Sequence, residues 1–240
     1  MKRVYLQKYQ GEFVAPSVFA AYEGFRFYGY ECVGFEEAEL PTLSVTTSTP
    51  VVGWVRTVQS ALRQIGSPVP PPIDYPEALR TWFGREIEQT TLGDLRSGST
   101  GFFVKPVEHK LFTGLKLTDS EDWEELKDFR DETPVWRSGF VEFVSEWRCF
   151  VYDHRLLGIR HYYGDPWTLP HKPDVLKMIR AWDDAPAGCA IDVGVLSDGS
   201  TVLVEVNDGY ALGDYGLSTL SYTDLLKARW EQLTLSRSDL

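Results

Sequence analysis

Asp192, Glu205 and Asn207 stand in the segment Ile191 to Asn207, IDVGVLSDGSTVLVEVN, at spacings that converge if the chain folds back once. Asp198-Gly199 suits a two-residue hairpin loop, because both central residues of such a turn need positive φ and these two tolerate it. That loop places Asp192 opposite Glu205, with Asn207 two residues further along the same face. Ile191, Val193 and Val195 then share the other face with Val202, Val204 and Val206, an apolar set suited to a core. Directly opposed side chains have Cβ atoms roughly 5 Å apart, and like charges there oppose pairing unless a counter-charge intervenes. A divalent cation is such a counter-charge. Mg²⁺ suits a hard-oxygen set of this kind, since it dehydrates reluctantly and completes its shell with water and phosphate oxygens. A solvated acidic face, or one protonated acid, would satisfy the same pairing.

Other residues add charge chemistry. Lys105 stands in the strand-like run FFVKPV, where an apolar or β-branched residue is the ordinary choice. A strand lysine beside a cleft supplies a point charge for nucleotide phosphates, whereas an edge-strand lysine merely deters aggregation. Lys110, five residues on, is a second phosphate candidate or a solvated side chain. The run VEFVSEWRCFV carries Glu142, Phe143 and Val144 between two strands, then Glu146 and Arg148 at the start of the second. A short hinge like this can lay its backbone against an adenine edge while a carboxylate takes ribose hydroxyls. Arg160, on the strand that folds back against Arg148, would stabilise charge on a transferring phosphoryl group if both strands line the cleft. Either arginine would otherwise serve a cross-strand ion pair. The chain lacks GxxxxGK[ST], a GxGxxG after a strand, and GxSxG, which disfavours P-loop, dinucleotide and serine-hydrolase chemistry.

Composition narrows the class of protein. The chain has 240 residues, 14% of them aromatic, and a net charge of -11. Nucleic-acid backbones are bound by clustered Lys and Arg, so such a partner is disfavoured. No apolar run approaches the roughly 20 residues of a membrane span, and the opening MKRVYLQKYQ lacks the apolar core of a signal peptide. Cys32, Cys149 and Cys189 are odd in number and far apart, as expected of reduced thiols in a cytoplasm. The four histidines, His109, His154, His161 and His171, have no metal-ligand spacing.

The elements that must position these residues follow from periodicity. Val4 to Leu6 reads as a strand, Pro16 to Tyr28 as a helix ended near Gly29, and Tyr30 to Phe35 as a second strand. Val51 to Ile65 has helical spacing up to Gly66. The segment SPVPPPIDYP, Ser67 to Pro76, holds five prolines and must be extended. After a short helix from Glu77 to Phe83 and a connector from Arg85 to Leu95, FFVKPV and LFTGLKL read as strands, SEDWEELKDF as a helix, and Val135 to Val144 as a third strand. WRCFVY and LLGIRHYY form a hairpin about Asp153-His154-Arg155. A helix from Asp174 to Trp182, the acidic hairpin, and an amphipathic helix from Tyr222 to Leu233 complete the chain.

In this order, FVKPVEHKLFTG, the E-F-V hinge, VSEWRCFV and DVGVLSDGSTVLVEVN resemble the ATP-grasp superfamily, and within it a compact bacterial and phage clade. The resemblance covers roughly Leu79 to Leu240, and the acidic hairpin is its most specific part. It implies an α+β ATP-grasp fold, with a small β-β-α-β lobe over residues 77–144 and a larger antiparallel-sheet lobe over 145–240. An N-terminal α/β lobe, 1–66, would precede it across a proline-rich linker, 67–76. It implies ATP and Mg²⁺ as cofactors. Lys105, Lys110, Glu142, Phe143, Val144, Glu146 and Arg148 would bind nucleotide, and Asp192, Glu205 and Asn207 would hold the metal. Lys105 and Arg160 would act at the transferred phosphate. The implied activity is a carboxylate-amine ligase working through an acylphosphate on small-molecule or peptide substrates. A phosphotransferase on the same scaffold, or a nucleotide-binding module acting through a protein partner, stays open. The sequence does not state an oligomeric state.

Overall fold

The computed structural model describes residues 2–96, 100–108 and 111–235. In the N-terminal part, β1 (Arg3–Tyr9) pairs in parallel with β3 (Glu31–Glu36) and antiparallel with β2 (Glu12–Phe13). Helix α1 (Pro16–Phe27) connects them, completing the expected β-α-β unit, and Gly29 at φ 75 lets the chain leave the helix. Sequence spacing predicts a helix from Val51, but Val51–Val52 is a short strand, β4, parallel to β1, and α2 starts at Val55 (Val55–Gln64). Both valines are buried in the sheet, which outweighs their helical phase.

The middle part is a four-stranded sheet of order β5-β8-β6-β7, where β5 is Ile87–Thr91, β6 Phe102–Pro106, β7 Leu115–Leu117 and β8 Pro134–Ser138. The short helix α3 (Leu92–Leu95) follows β5. This lobe departs from its expected form in three ways. The connector read at Arg85–Leu95 contains an edge strand, whose polar run IEQTT hid it. The expected helix in SEDWEELKDF is only a single 3-10 turn, Asp122–Leu126. The third strand stops at Ser138, and residues 139–144 are irregular. Leu92, Phe102, Val104, Leu117, Leu126 and Val135 form its core.

The last part is an antiparallel sheet of order β10-β9-β11-β12. Strands β9 (Ser145–Tyr152) and β10 (Arg155–Gly164) meet at Asp153-His154, both with positive φ. Helix α4 (Lys172–Ala181) packs on one face of the sheet against Cys149, Val151, Ile191, Val193, Leu203 and Val206. On the other face Phe150 and Ala190 share a core with Val4, Leu6 and Phe25 of the N-terminal part and with Tyr222 and Leu225 of α5 (Thr219–Thr234). Among the described residues no helix is long and apolar enough to cross a membrane, and all three cysteines are free thiols.

The acidic hairpin joins β11 (Gly188–Val195) to β12 (Thr201–Asp208), and its turn differs from the sequence expectation. Leu196 N donates to Ser200 O at 2.9 Å and Gly199 N to Leu196 O at 2.9 Å, so the loop is a residue wider than Asp198-Gly199. Only Gly199 has positive φ, at 84. That shift alone would slide Asp192 off Glu205. A β-bulge between Asp192 and Val193 restores the register, leaving Val204 as the extra residue: Val193 faces Leu203, and Asp192 faces Glu205. Leu203 and Glu205, two apart, would share a face in a regular strand. The bulge lets Leu203 enter the core, in place of the expected Val204, while Glu205 turns to the opposite side.

Candidate functional site

The strand registers place four charged residues in one rung across the last sheet. Arg160 of β10 faces Arg148 of β9, Arg148 faces Asp192 of β11, and Asp192 faces Glu205 of β12. Arg148 grips Asp192 in a two-pronged salt bridge, Nε to Oδ1 at 2.8 Å and Nη2 to Oδ2 at 2.7 Å. Asn207 Nδ2 donates to Asp192 Oδ2 at 3.1 Å and to Glu205 Oε1 at 3.3 Å. Asp192, Glu205 and Asn207 therefore do meet on one face. The counter-charge expected from a cation is supplied here by the protein itself: Arg148 for Asp192, and Lys105 for Glu205.

Lys105 comes from β6 of the middle sheet. Its Nζ donates to Glu205 Oε2 at 2.6 Å and to Asp74 Oδ1 at 2.5 Å, and lies 4.8 Å from the Tyr75 ring centroid. It thus ties the two sheets together across a cavity of about 550 Å³. That size falls within the range of small-molecule and cofactor sites. Its lining includes Phe140, Glu142, Phe143 and Tyr163 together with Arg85, Lys105, Lys116 and Glu205.

These environments move the ionisation of the acids apart. Burial pushes Asp192 up to about 6, against the pull of Arg148. Burial also pushes on Glu205, but Lys105 outweighs it and holds this carboxyl below its ordinary value. Lys105 itself is held above the ordinary lysine range, because Tyr75, Glu205 and Asp74 outweigh its burial. Glu146 is raised by burial, although Tyr162 Oη donates to its Oε2 at 2.8 Å.

The candidate nucleotide residues divide. Glu142, Phe143, Glu146 and Lys105 line the cavity. Val144 does not: its N donates to Val195 O at 2.8 Å and its O accepts from Asp165 N at 2.9 Å, so neither backbone group is open to a ligand. Within the described residues the backbone of 141–143 makes no hydrogen bond, which moves the available hinge one residue earlier. Phe143 packs on Gly194, where a Cβ would come within 2.1 Å of its ring. Arg148 is also absent from this cavity and lies instead beside Tyr210 and Gly213, stacked 4.6 Å from the Tyr215 ring centroid. Arg160 donates through Nε to Gly216 O at 2.8 Å and through Nη1 to Ile159 O at 2.7 Å. Lys110 lies outside the described residues.

The middle and last sheets, joined by the Lys105–Glu205 contact at a shared cavity, are matched by a family model. It is that of the ATP-grasp domain, R2K clade family 2, and it covers residues 82–225. The chain belongs to the ATP-grasp family. Solved structures share its fold. A RimK domain ATP-grasp protein from Sphaerobacter thermophilus is 17% identical, with 98% of this chain and 100% of that one covered and a TM-score of 0.56. D-alanine–D-alanine ligase from Bacillus anthracis complexed with ATP is 17% identical, with coverage of 95% and 94% and a TM-score of 0.57. D-cycloserine synthetase DcsG is 12% identical, with coverage of 95% and 99% and a TM-score of 0.60. No curated protein sequence matches the chain.

Three residues around Lys105 and the cavity carry no signal in the sequence. Asp74 and Tyr75 belong to the proline-rich segment, which reads as a linker yet supplies the second acid on Lys105 and the ring beneath its ammonium. Arg85 donates to Leu203 O at 2.8 Å and to Val204 O at 3.1 Å, securing the bulged stretch of β12 to the cavity wall. An Asp-Tyr pair directly before a proline, and an arginine after a glycine, are common surface patterns, so sequence alone gave them no weight.

Proposed function

We propose that this ATP-grasp protein is an ATP- and Mg²⁺-dependent carboxylate-amine ligase that works through an acylphosphate. The observation that carries the reading is the Lys105–Glu205 contact, which puts a strand ammonium and one carboxylate of the acid-acid-amide set at the wall of one cavity. Residues 77–144 and 145–240 act as the two lobes that close on nucleotide, and residues 1–66, joined through 67–76, help frame the acceptor.

The donor set fits magnesium. Glu205 and Asn207 offer hard oxygens beside the cavity, and the contact between the Asn207 amide and Glu205 Oε1 is long, at 3.3 Å. Asp192 has both oxygens on Arg148, so it joins the set as a buried charge behind Glu205 and Asn207. Bound there, Mg²⁺ would screen the phosphate oxygens as charge shifts toward the leaving group.

The chain's own residues do the remaining work. Lys105 and Arg85 neutralise phosphate charge by fixed positive groups already in place at the cavity. The open backbone of 141–143 meets the adenine edge, Phe143 packs on the base, and Glu146 accepts from the ribose hydroxyls. Arg160 lies on the same rung as Asp192 and Glu205, on the side where an acceptor carboxylate would approach, and offsets charge on the acylphosphate. The acceptor carboxylate attacks the γ-phosphorus of ATP, breaking the bond to ADP and forming the acylphosphate; the amine then attacks the acyl carbon, expelling phosphate and leaving the amide. Rate enhancement comes from holding the reactants together and from fixed charge, without a covalent enzyme intermediate.

The test is a coupled ADP-release assay with ATP, Mg²⁺ and pools of amino acids and short peptides. Release of ADP and phosphate that depends on both a carboxylate and an amine is expected. A stable phosphorylated product without phosphate release would instead identify a phosphotransferase, and tight ATP binding without turnover on any acceptor would contradict an enzymatic role.

A further inference from the structure

Lys105 has more negative charge around it than one ammonium needs. Glu205 belongs to the oxygen set at the cavity, and its side chain is 30% exposed. Asp74 is different: its side chain is only 6% exposed, and it reaches Lys105 from the proline-rich segment, whose backbone is pinned to β12 by Val206 N donating to Asp74 O at 2.9 Å. Asp74 Oδ2 is buried and has no hydrogen-bond partner among the described residues. Burying a carboxylate oxygen unpaired is costly, so a retained one calls for an explanation in function.

We propose that Asp74 is a positioning residue: it keeps the Lys105 ammonium at the cavity wall when Glu205 turns from Lys105 to a divalent cation. The proposal rests on reading the cavity as the Mg·ATP site. If Glu205 were the sole counter-ion of Lys105, a cation at Glu205 would have to break a buried ion pair and strand the ammonium. With Asp74 present, one pair persists throughout. Its unpartnered Oδ2 gives the ammonium a second acceptor at the moment Glu205 leaves. The lysine then meets the incoming phosphate already held in place, and Glu205 is released to metal at less cost than if it were the sole counter-ion.

The experiment is calorimetric ATP binding over a range of Mg²⁺ concentrations, with the wild type, Asp74→Asn, Asp74→Ser, Lys105→Met, and Asp74→Asn combined with Lys105→Met. All the Asp74 variants keep the backbone carbonyl that accepts from Val206, and thermal melts establish which are folded. The Mg²⁺ concentration giving half-maximal ATP affinity is expected to rise roughly tenfold in Asp74→Asn and Asp74→Ser, the equivalent of one lost charge-assisted hydrogen bond. In the Lys105→Met background the effect of Asp74→Asn is expected to shrink to within about twofold, since a coupling vanishes when its partner is absent. An unchanged midpoint in folded Asp74 variants overturns the proposal while leaving the site reading intact. So does an equal shift in the Lys105→Met background, which would mark Asp74 as merely structural. Wild-type protein whose ATP binding ignores Mg²⁺, or that binds no ATP, overturns the site reading and the proposal with it.

Discussion

Replacing Lys105 by methionine removes a single charge and leaves two acids, Asp74 and Glu205, without the ammonium they share. The methionine keeps most of the buried stem, so the change isolates the ammonium. Its loss takes away hydrogen bonds of 2.5 Å to Asp74 and 2.6 Å to Glu205 and the contact with the Tyr75 ring. Removing one partner of a buried ion pair costs about 3–5 kcal/mol, because the other is left uncompensated. Asp74 is almost wholly enclosed, but Glu205 is partly open to water, which places the expected cost near the lower figure. For a chain of this length about 3 kcal/mol lowers Tm by roughly 6–12 °C. Scanning calorimetry or a circular dichroism melt reads this directly. The same melts with millimolar Mg²⁺ and no nucleotide give a second, sharper readout. In the wild type the ammonium competes with the cation for Glu205, and in Lys105→Met it does not, so Mg²⁺ should raise Tm more in the variant. An unchanged Tm, or equal stabilisation of both proteins by Mg²⁺, would refute the reasoning that Lys105 and a cation share these acids.

Gly194→Ala should push Phe143 out of the cavity, because the new Cβ would sit 2.1 Å from its ring; ATP affinity is expected to fall about tenfold, with a stability loss of about 1–3 kcal/mol from overpacking. Arg229→Met strips the partner from buried Asp208, to which Arg229 Nε donates at 2.7 Å. A loss of about 3–5 kcal/mol is expected in a denaturant melt, and the damage lies where α5 meets β12. Asp192→Asn tests pH dependence: the folded Asp192 titrates near 6 and an unfolded aspartate near 3.9. A raised folded pKa means that the contribution from this group is complete below the unfolded value and is lost as pH rises through the folded one. Wild-type stability minus that of Asp192→Asn should therefore be larger at pH 4 than at pH 7, and a difference that grows with pH would contradict it.

How much of this was legible in the chain is clearest at the acidic hairpin. The facing of Asp192 and Glu205 was readable, yet the route to it was not. The loop is one residue wider than Asp198-Gly199 implies, and a bulge at Val204 compensates. Alternation carries no trace of a bulge, because Leu203 and Val204 are equally apolar. The neutralising partners were hidden for a different reason. Arg148 meets Asp192 only because β9 lies beside β11, and sequence order does not state which strands become neighbours. Sequence order therefore suggests a nucleotide contact for Arg148, which instead pairs with Asp192 away from the cavity. In the middle lobe, periodicity found β6 and its lysine but overextended β8 through the hinge, because Phe140, Val141 and Phe143 are apolar residues that line the cavity and not a sheet. The proline-rich segment reads as a spacer by composition. Its stiffness is what lets Asp74 and Tyr75 stand under Lys105 without helical or strand support.

A crystal structure of the protein with Mg²⁺ and a non-hydrolysable ATP analogue tests the central claim most directly. The account places the base against Phe143 and the open backbone of 141–143, the phosphates beside Lys105 and Arg85, and the metal on Glu205 and Asn207, with Lys105 still held by Asp74. A nucleotide seated away from this cavity, or a metal bound without Glu205, would contradict it.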